Sequence, residues 1–208
     1  MLEKLPRLLG HTLRDVRPGL EAIVLNSDAT AGATAAIEVA STAFAHGDPM
    51  PARYTADGPG HSPPLRWSGV PAEAAAVVLL VEDADSITPQ PLVHAVVWNL
   101  PGADGSLPEG ALDADADAEA PGVVGRNSYF AHAWLPPDPP PGHGVHRYVF
   151  QVFALRTAPA LGDADEAPGR ARLLEVLEGN VLACGGLIGT YERGSDTPAV
   201  IGGGTVAA

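Results

Sequence analysis

The sequence is poor in cysteine, in aromatic residues and in basic residues. One cysteine, Cys184, among 208 residues excludes an intramolecular disulfide and is typical of a reducing compartment. Aromatic residues make up 5% of the chain, too few for a platform that stacks on nucleic-acid bases. Lysine and arginine number 12 against 25 acidic residues, and the formal net charge of −13 repels phosphate backbones. Neither nucleic acid nor an anionic membrane is therefore expected as a partner.

Long apolar runs are also missing. No run is long enough to cross a bilayer, so we expect no transmembrane segment. Residues 1–19 alternate charged and apolar side chains and lack the continuous apolar stretch and small-residue cleavage site of a signal peptide. These features predict a cytoplasmic protein.

Glycine and proline, in contrast, are abundant, with 24 and 21 residues respectively. They predict many short elements joined by turns, and a chain of this length fits one domain with appendages. Leucines at helical spacing predict an amphipathic arm that, with a small-residue linker, fills residues 1–36. Such an arm packs on its own domain or on a second subunit, so a homodimer is one alternative. The domain itself covers 37–194, and a glycine-rich flexible tail covers 195–208.

Strand patterns dominate the domain. Val77–Val81 is continuously apolar, Leu92–Leu100 is apolar around one histidine, and 146–156 alternates with a period of two. Helical spacing recurs over Arg170–Ala183, and Leu187–Glu192 predicts a final strand. Several turn-linked strands followed by one late helix predict a mainly β fold, an antiparallel two-sheet β-sandwich.

Five polar side chains lie at the ends of these strands and form the candidate site. Asp83 and Asp85 follow the first strand two residues apart, so their carboxylates leave the same side if the backbone is still extended. His94 lies at the apolar start of the second strand, and His146 and Tyr148 share one face of the third. If the sandwich brings these strands together, one cavity holds two imidazoles, a phenol and a carboxylate.

Several segments resemble the phosphatidylethanolamine-binding protein family, in particular its bacterial Raf kinase inhibitor-like branch (YbhB/YbcL-type). The resemblance covers about residues 41–193 and rests on SPPLRWSGVP at 62–71, EDAD at 82–85, HAVVWNLP at 94–101, PPPGHGVHRYVF at 139–150 and GTYER at 189–193. The chain departs from the family at Ala84, where the family has proline, and in a longer loop at 127–138.

The resemblance implies a two-sheet fold with a small anion pocket for phosphate or a phosphoethanolamine-like lipid head group. It implies a binding protein rather than an enzyme, without a cofactor, that regulates a protein partner as kinase or protease inhibitors do. The pocket ligands carried over by position are Asp83, Asp85, His94, His146 and Tyr148.

In such a pocket we expect the carboxylate to favour the charged form of the neighbouring imidazole. The outward ring nitrogen would then donate a hydrogen bond to an anion oxygen. Two histidines and one aspartate also match a metal site of two imidazoles and one carboxylate, so a metal-dependent enzyme is the alternative. His132 and His143, in the proline-rich loop, are predicted to be exposed or at the rim.

Overall fold

The computed structural model describes residues 12–13, 15–116, 121–161 and 169–194. The predicted tail, 195–208, and most of the predicted helical arm lie outside the described residues. Within these ranges, nine strands form a six-stranded and a three-stranded sheet, accompanied by one α-helix of eight residues. The predicted mainly β, two-sheet sandwich is therefore confirmed.

The elements follow one another in a simple order. The strands are β1 Ala35–Ala36, β2 Glu38–Ala40, β3 Leu65–Ser68, β4 Ala76–Asp83, β5 Leu92–Pro101, β6 Gly105–Leu107, β7 Val123–Val124, β8 His146–Leu155 and β9 Val181–Tyr191, and helix α1 is Arg170–Leu177. The large sheet has the order β1-β9-β8-β4-β5-β7, and the small one β2-β3-β6. All pairings are antiparallel except that of β1 with β9.

Both faces of the large sheet are covered, which explains why β4 is apolar from Ala76 to Val81. Val77, Leu79 and Val81 of β4 pack between the two sheets with Phe150 of β8 and Trp67 of the small sheet. The intervening β4 residues face the other way and pack beneath the helix and a 3-10 turn, with Val24, Leu173 and Leu177. Because neither face meets water, apolar side chains are favoured at every position of the strand.

The predicted alternation of β8 is also present. Tyr148, Phe150, Val152 and Ala154 lie on the face between the sheets, whereas Phe153 packs on the outer face. Asp83 pairs with Tyr148 across β4 and β8, so the candidate residues of these two strands lie at one end of the sandwich.

Some element boundaries differ from the prediction. The helix ends at Leu177 rather than at residue 183, because Gly179 adopts a φ of 68° and Val181 begins β9. The acidic stretch after β5 contains a strand, β6, that adds to the small sheet. The end of the predicted helical arm and the start of the predicted linker, 26–36, form 3-10 turns from Leu20 to Thr30, and Ile23 is buried against the sheet.

Candidate ligand-binding site

A β-bulge turns His94 toward the space between the sheets. Val81 pairs with Ala95 whereas Glu82 pairs with Val93, so His94 is the extra residue on β5. Val93 packs on the outer face of the sheet and Ala95 on the inner face. The inserted residue allows two consecutive side chains, those of His94 and Ala95, to leave the same side, which a regular strand does not permit.

A cavity of about 280 Å³ opens at this end of the sandwich. Its polar lining comes from Asp83, His94, His146, Asp138 and the hydroxyl-bearing side chains of the loop after β4. The remainder is apolar or aromatic: Ala56, Ile87, Leu92, Tyr129, Leu135, Pro136, Pro139 and Pro140. The structure therefore brings Asp83, His94 and His146 to one cavity from three different strands.

Asp83 and two histidines form a chain of hydrogen bonds behind the cavity wall. Oδ2 of Asp83 lies 2.7 Å from Nδ1 of His146, and Nε2 of His146 lies 2.6 Å from Nδ1 of His143. Nε2 of His143 in turn lies 2.8 Å from the carbonyl oxygen of Leu13 in the N-terminal arm. All three side chains are buried, so these bonds are shielded from water.

His94 has one engaged and one unengaged ring nitrogen. Nδ1 lies 2.5 Å from the carbonyl oxygen of Leu135 and must carry the hydrogen, since a carbonyl only accepts. Burial lowers the pKa of His94 and so favours the neutral ring, although nearby Asp83 acts in the opposite direction. Nε2 is buried without a partner among the described residues and presents a lone pair.

Tyr148 stands edge-on to His94, with the ring centroids 5.0 Å apart. Its hydroxyl is likewise buried without a hydrogen-bond partner in the described part of the chain. Burial raises the pKa of the Tyr148 phenol well above its usual value, and the negative charge of Asp83 adds to the effect. The neutral hydroxyl can therefore donate one hydrogen bond and accept another.

Asp85 has different surroundings and does not line the cavity. Strand β4 ends at Asp83, so the backbone is no longer extended at Asp85 and the two carboxylates diverge. Oδ1 and Oδ2 of Asp85 accept hydrogen bonds of 2.7 Å each from Nη2 and Nε of Arg147, and Arg17 lies 3.1 Å away. The expectation that both acids leave the same side was wrong for this reason.

Two further expectations need correction. His143, predicted to be exposed or at the rim, is fully buried, whereas His132 is exposed as predicted. The expected outward nitrogen of the histidine beside the carboxylate does not exist, because both ring nitrogens of His146 are engaged. His143 lies between Gly142 and Gly144, and both glycines adopt positive φ.

Arg193 is a buried cationic side chain that the sequence analysis missed. Its Nη1 lies 2.6 Å from Oδ1 of Asp138 in the cavity wall, and its Nη2 lies 2.7 Å from Oδ1 of Asp57. The guanidinium thus neutralises the acidic side of the cavity and fixes the position of Asp138. No group of three or more His, Cys, Asp or Glu side chains in the described ranges has the geometry of a metal site.

Comparison with known proteins places this arrangement in a family. The sequence profile named "Phosphatidylethanolamine-binding protein" matches residues 40–192, which is most of the chain and includes every candidate residue. The chain belongs to this family. Members of the family bind small ligands, so the chain is a binding protein of that family.

Individual relatives agree with the assignment. A UPF0098 protein of Pyrococcus abyssi is 34% identical over 188 residues, which cover 87% of this chain and 99% of the relative. The crystal structure of Escherichia coli YbcL, described as a new member of the mammalian PEBP family, superimposes with a TM-score of 0.69 at 28% identity. That alignment covers 76% of this chain and 99% of YbcL.

The cellular location expected from the sequence stays a prediction. No helix in the ranges that the structure describes has the length and apolar character needed to span a bilayer. A relative from Mycobacterium tuberculosis, LppC, has a name that assigns it provisionally to the lipoproteins. It is 36% identical over 165 residues, which cover 73% of this chain and 78% of LppC.

Proposed function

We propose that the cavity binds a phosphate monoester, such as phosphoethanolamine or the equivalent lipid head group, without converting it chemically. The observation that carries the proposal is a buried polar atom of the cavity lining without a partner among the described residues, Nε2 of His94. A second such atom, the hydroxyl of Tyr148, belongs to a ring that stands edge-on to His94 behind the lining. An unpaired buried polar atom costs about 1–3 kcal/mol. A ligand that hydrogen-bonds to both atoms removes this penalty.

The proton on the ligand decides the chemical class. Neutral His94 presents a lone pair at Nε2, so its partner must bring a hydrogen. A phosphate monoester has a second pKa of about 6 and keeps or regains a proton easily near neutrality. One proton then lies between a phosphate oxygen and Nε2, while the Tyr148 hydroxyl donates to a second oxygen. Sulfate offers no such proton.

The cavity walls favour a head group over a bare ion. Most of the lining is apolar, with Ile87, Leu92 and Leu135 near the polar groups, so a short organic substituent finds contacts there. A volume of about 280 Å³ fits a molecule of the size of phosphoethanolamine and not the acyl chains of a lipid. The acids in the wall are already paired, Asp83 with His146 and Asp138 with Arg193, which limits repulsion of the anion.

Calorimetric titration with phosphoethanolamine and with sulfate, at about pH 6 and about pH 8, tests the proposal. We expect phosphoethanolamine to bind more tightly at the lower pH, because the complex retains a proton that the free ligand loses. Above the second pKa of the ligand, its affinity should fall about tenfold per pH unit. Sulfate should bind weakly at both values. Equal binding of sulfate, or no binding of phosphoethanolamine at either pH, would contradict the proposal.

The matching variant is His94→Phe, which keeps a ring against Trp134 and Tyr148 but removes the nitrogens. It should lower phosphoethanolamine affinity at least about tenfold and weaken its pH dependence. His132→Gln, at an exposed position away from the cavity lining, is the control and should behave as wild type. The expected role as a regulator of a protein partner and the expected homodimer stay predictions.

A thermal-shift assay with Zn²⁺ tests the alternative of a metal-dependent enzyme, which predicts that the metal raises the melting temperature.

A further inference from the structure

The N-terminal arm is bound to the back of the candidate site. Arg17 donates from Nη2 to the carbonyl oxygen of His143 at 2.6 Å and from Nη1 to that of Val145 at 2.7 Å. Leu13 accepts the hydrogen bond from Nε2 of His143. These arm residues precede the segment that matches the family profile, 40–192.

The number of protons in this contact is fixed by its two ends. The carbonyl of Leu13 only accepts, and the carboxylate of Asp83 accepts in its ionised form. Three hydrogen bonds therefore run between Asp83, His146, His143 and Leu13, and each needs one hydrogen. Two neutral imidazoles supply only two. The complete chain exists only when the histidine pair carries one additional proton, which balances the charge of Asp83.

We propose that this shared proton couples docking of the N-terminal arm to occupancy of the cavity, with His143 as the positioning residue between them. The ligand part of the inference rests on the function proposed above. His146 lines the cavity, so an anion bound there favours retention of the positive charge on the histidine pair. The retained proton keeps His143 donating to Leu13. By reciprocity, a docked arm raises affinity for the anion by the same factor.

Docking should fail on both sides of a pH window. When the pair holds four hydrogens, two N–H groups face each other between the rings. The central hydrogen bond is then lost, and the repulsion moves His143 and the arm bound to it out of position. At high pH the pair holds two hydrogens for three bonds, and one bond must open. The two rings titrate as one unit because they are in direct contact. Other charged or titratable groups around them are Arg17 from the arm, Asp83 from β4, His94 from β5, Tyr148 from β8 and Asp138 from the loop.

Hydrogen–deuterium exchange of the peptide that covers residues 12–19, in ligand-free protein, tests whether the shared proton holds the arm in place. After correction for the intrinsic rate, protection should pass through a maximum between about pH 5 and about pH 9 and fall on both sides. In His143→Gln the maximum should be absent, since the amide cannot hold the proton. His132→Gln should retain it. A flat wild-type profile, or an unchanged maximum in His143→Gln, would overturn the proposal.

Titration with phosphoethanolamine tests the coupling to the cavity. Deletion of residues 1–18 should lower the affinity on the order of fivefold near neutral pH, and Arg17→Gln, which leaves the chain intact, should shift it in the same direction. Wild-type affinity in both variants would overturn the coupling. If the wild-type protein binds no phosphoethanolamine, the proposed function fails, yet the exchange profile still decides whether the proton holds the arm.

Discussion

Asp83 and Asp85 are adjacent acids at one strand end, yet they belong to two different kinds of charge cluster. Asp83 hydrogen-bonds to His146, whose imidazole ring can be neutral or protonated. Asp85 hydrogen-bonds to Arg147 and lies near Arg17, which are permanently charged. Burial acts to raise the pKa of Asp85, but the hydrogen bonds and the charge of Arg147 outweigh this effect. The pKa of Asp85 is therefore below its usual value. The first cluster can respond to pH and ligand, whereas the second can only hold the loop in place.

The backbone between the two acids explains how they diverge. Oδ1 of Asp83 accepts a 2.8 Å hydrogen bond from the amide of Asp85, so the first acid caps the turn that redirects the second. Asp85 then also accepts from the backbone amide of Arg147 at 2.9 Å, which fastens the turn to β8. One oxygen of Asp83 thus caps the turn and the other bonds to His146 at the cavity, whereas both oxygens of Asp85 bond to Arg147.

Replacing Asp85 should have the largest effect on stability. Asp85→Asn removes the buried charge that pairs with the partly exposed Arg147 and Arg17, and we expect a loss of about 1–2 kcal/mol in the free energy of unfolding. Urea denaturation measures it, with the exposed Asp115→Asn as a control that should stay within about 0.5 kcal/mol of wild type. A loss as small as that of the control would show that the arginine cluster does not hold the loop.

Replacing Asp83 should instead affect binding more than folding. Asp83→Asn keeps an oxygen for the Asp85 amide but no longer favours the additional proton on the histidine pair. We expect affinity for phosphoethanolamine to fall about tenfold, or about 1.4 kcal/mol, near neutral pH. Calorimetric titration of both asparagine variants makes the comparison: equal losses of affinity in Asp83→Asn and Asp85→Asn would remove the distinction between the clusters.

The sequence predicts those parts of the site that depend on local periodicity. The faces of β8, and hence the shared direction of His146 and Tyr148, follow from the period of two. Burial of β4 follows from its uninterrupted apolar run. These patterns suffice to place the site at one end of a two-sheet sandwich.

The parts that depend on pairing between distant segments could not be predicted. The direction of His94 is set by a bulge, and a bulge exists only relative to the register with β4. Burial of His143 requires the arm, 130 residues earlier in the chain, to supply its acceptor. A loop rich in proline and glycine is ordinarily exposed, so composition alone gave the wrong expectation for this residue.

Tyr148→Phe should have the smallest effect on ligand affinity, and its effects on stability and on affinity should have opposite signs. The hydroxyl has no partner in the described part of the chain, so its removal should stabilise the free protein by up to about 1 kcal/mol while lowering phosphoethanolamine affinity about fivefold. The matched control is Tyr54→Phe, whose hydroxyl donates to Glu109 at 2.7 Å, and which should lose stability. Urea denaturation and calorimetry measure the two quantities. If Tyr148→Phe loses both stability and affinity, the hydroxyl supports the fold, and only His94 and the Asp83 cluster remain as proposed ligand contacts.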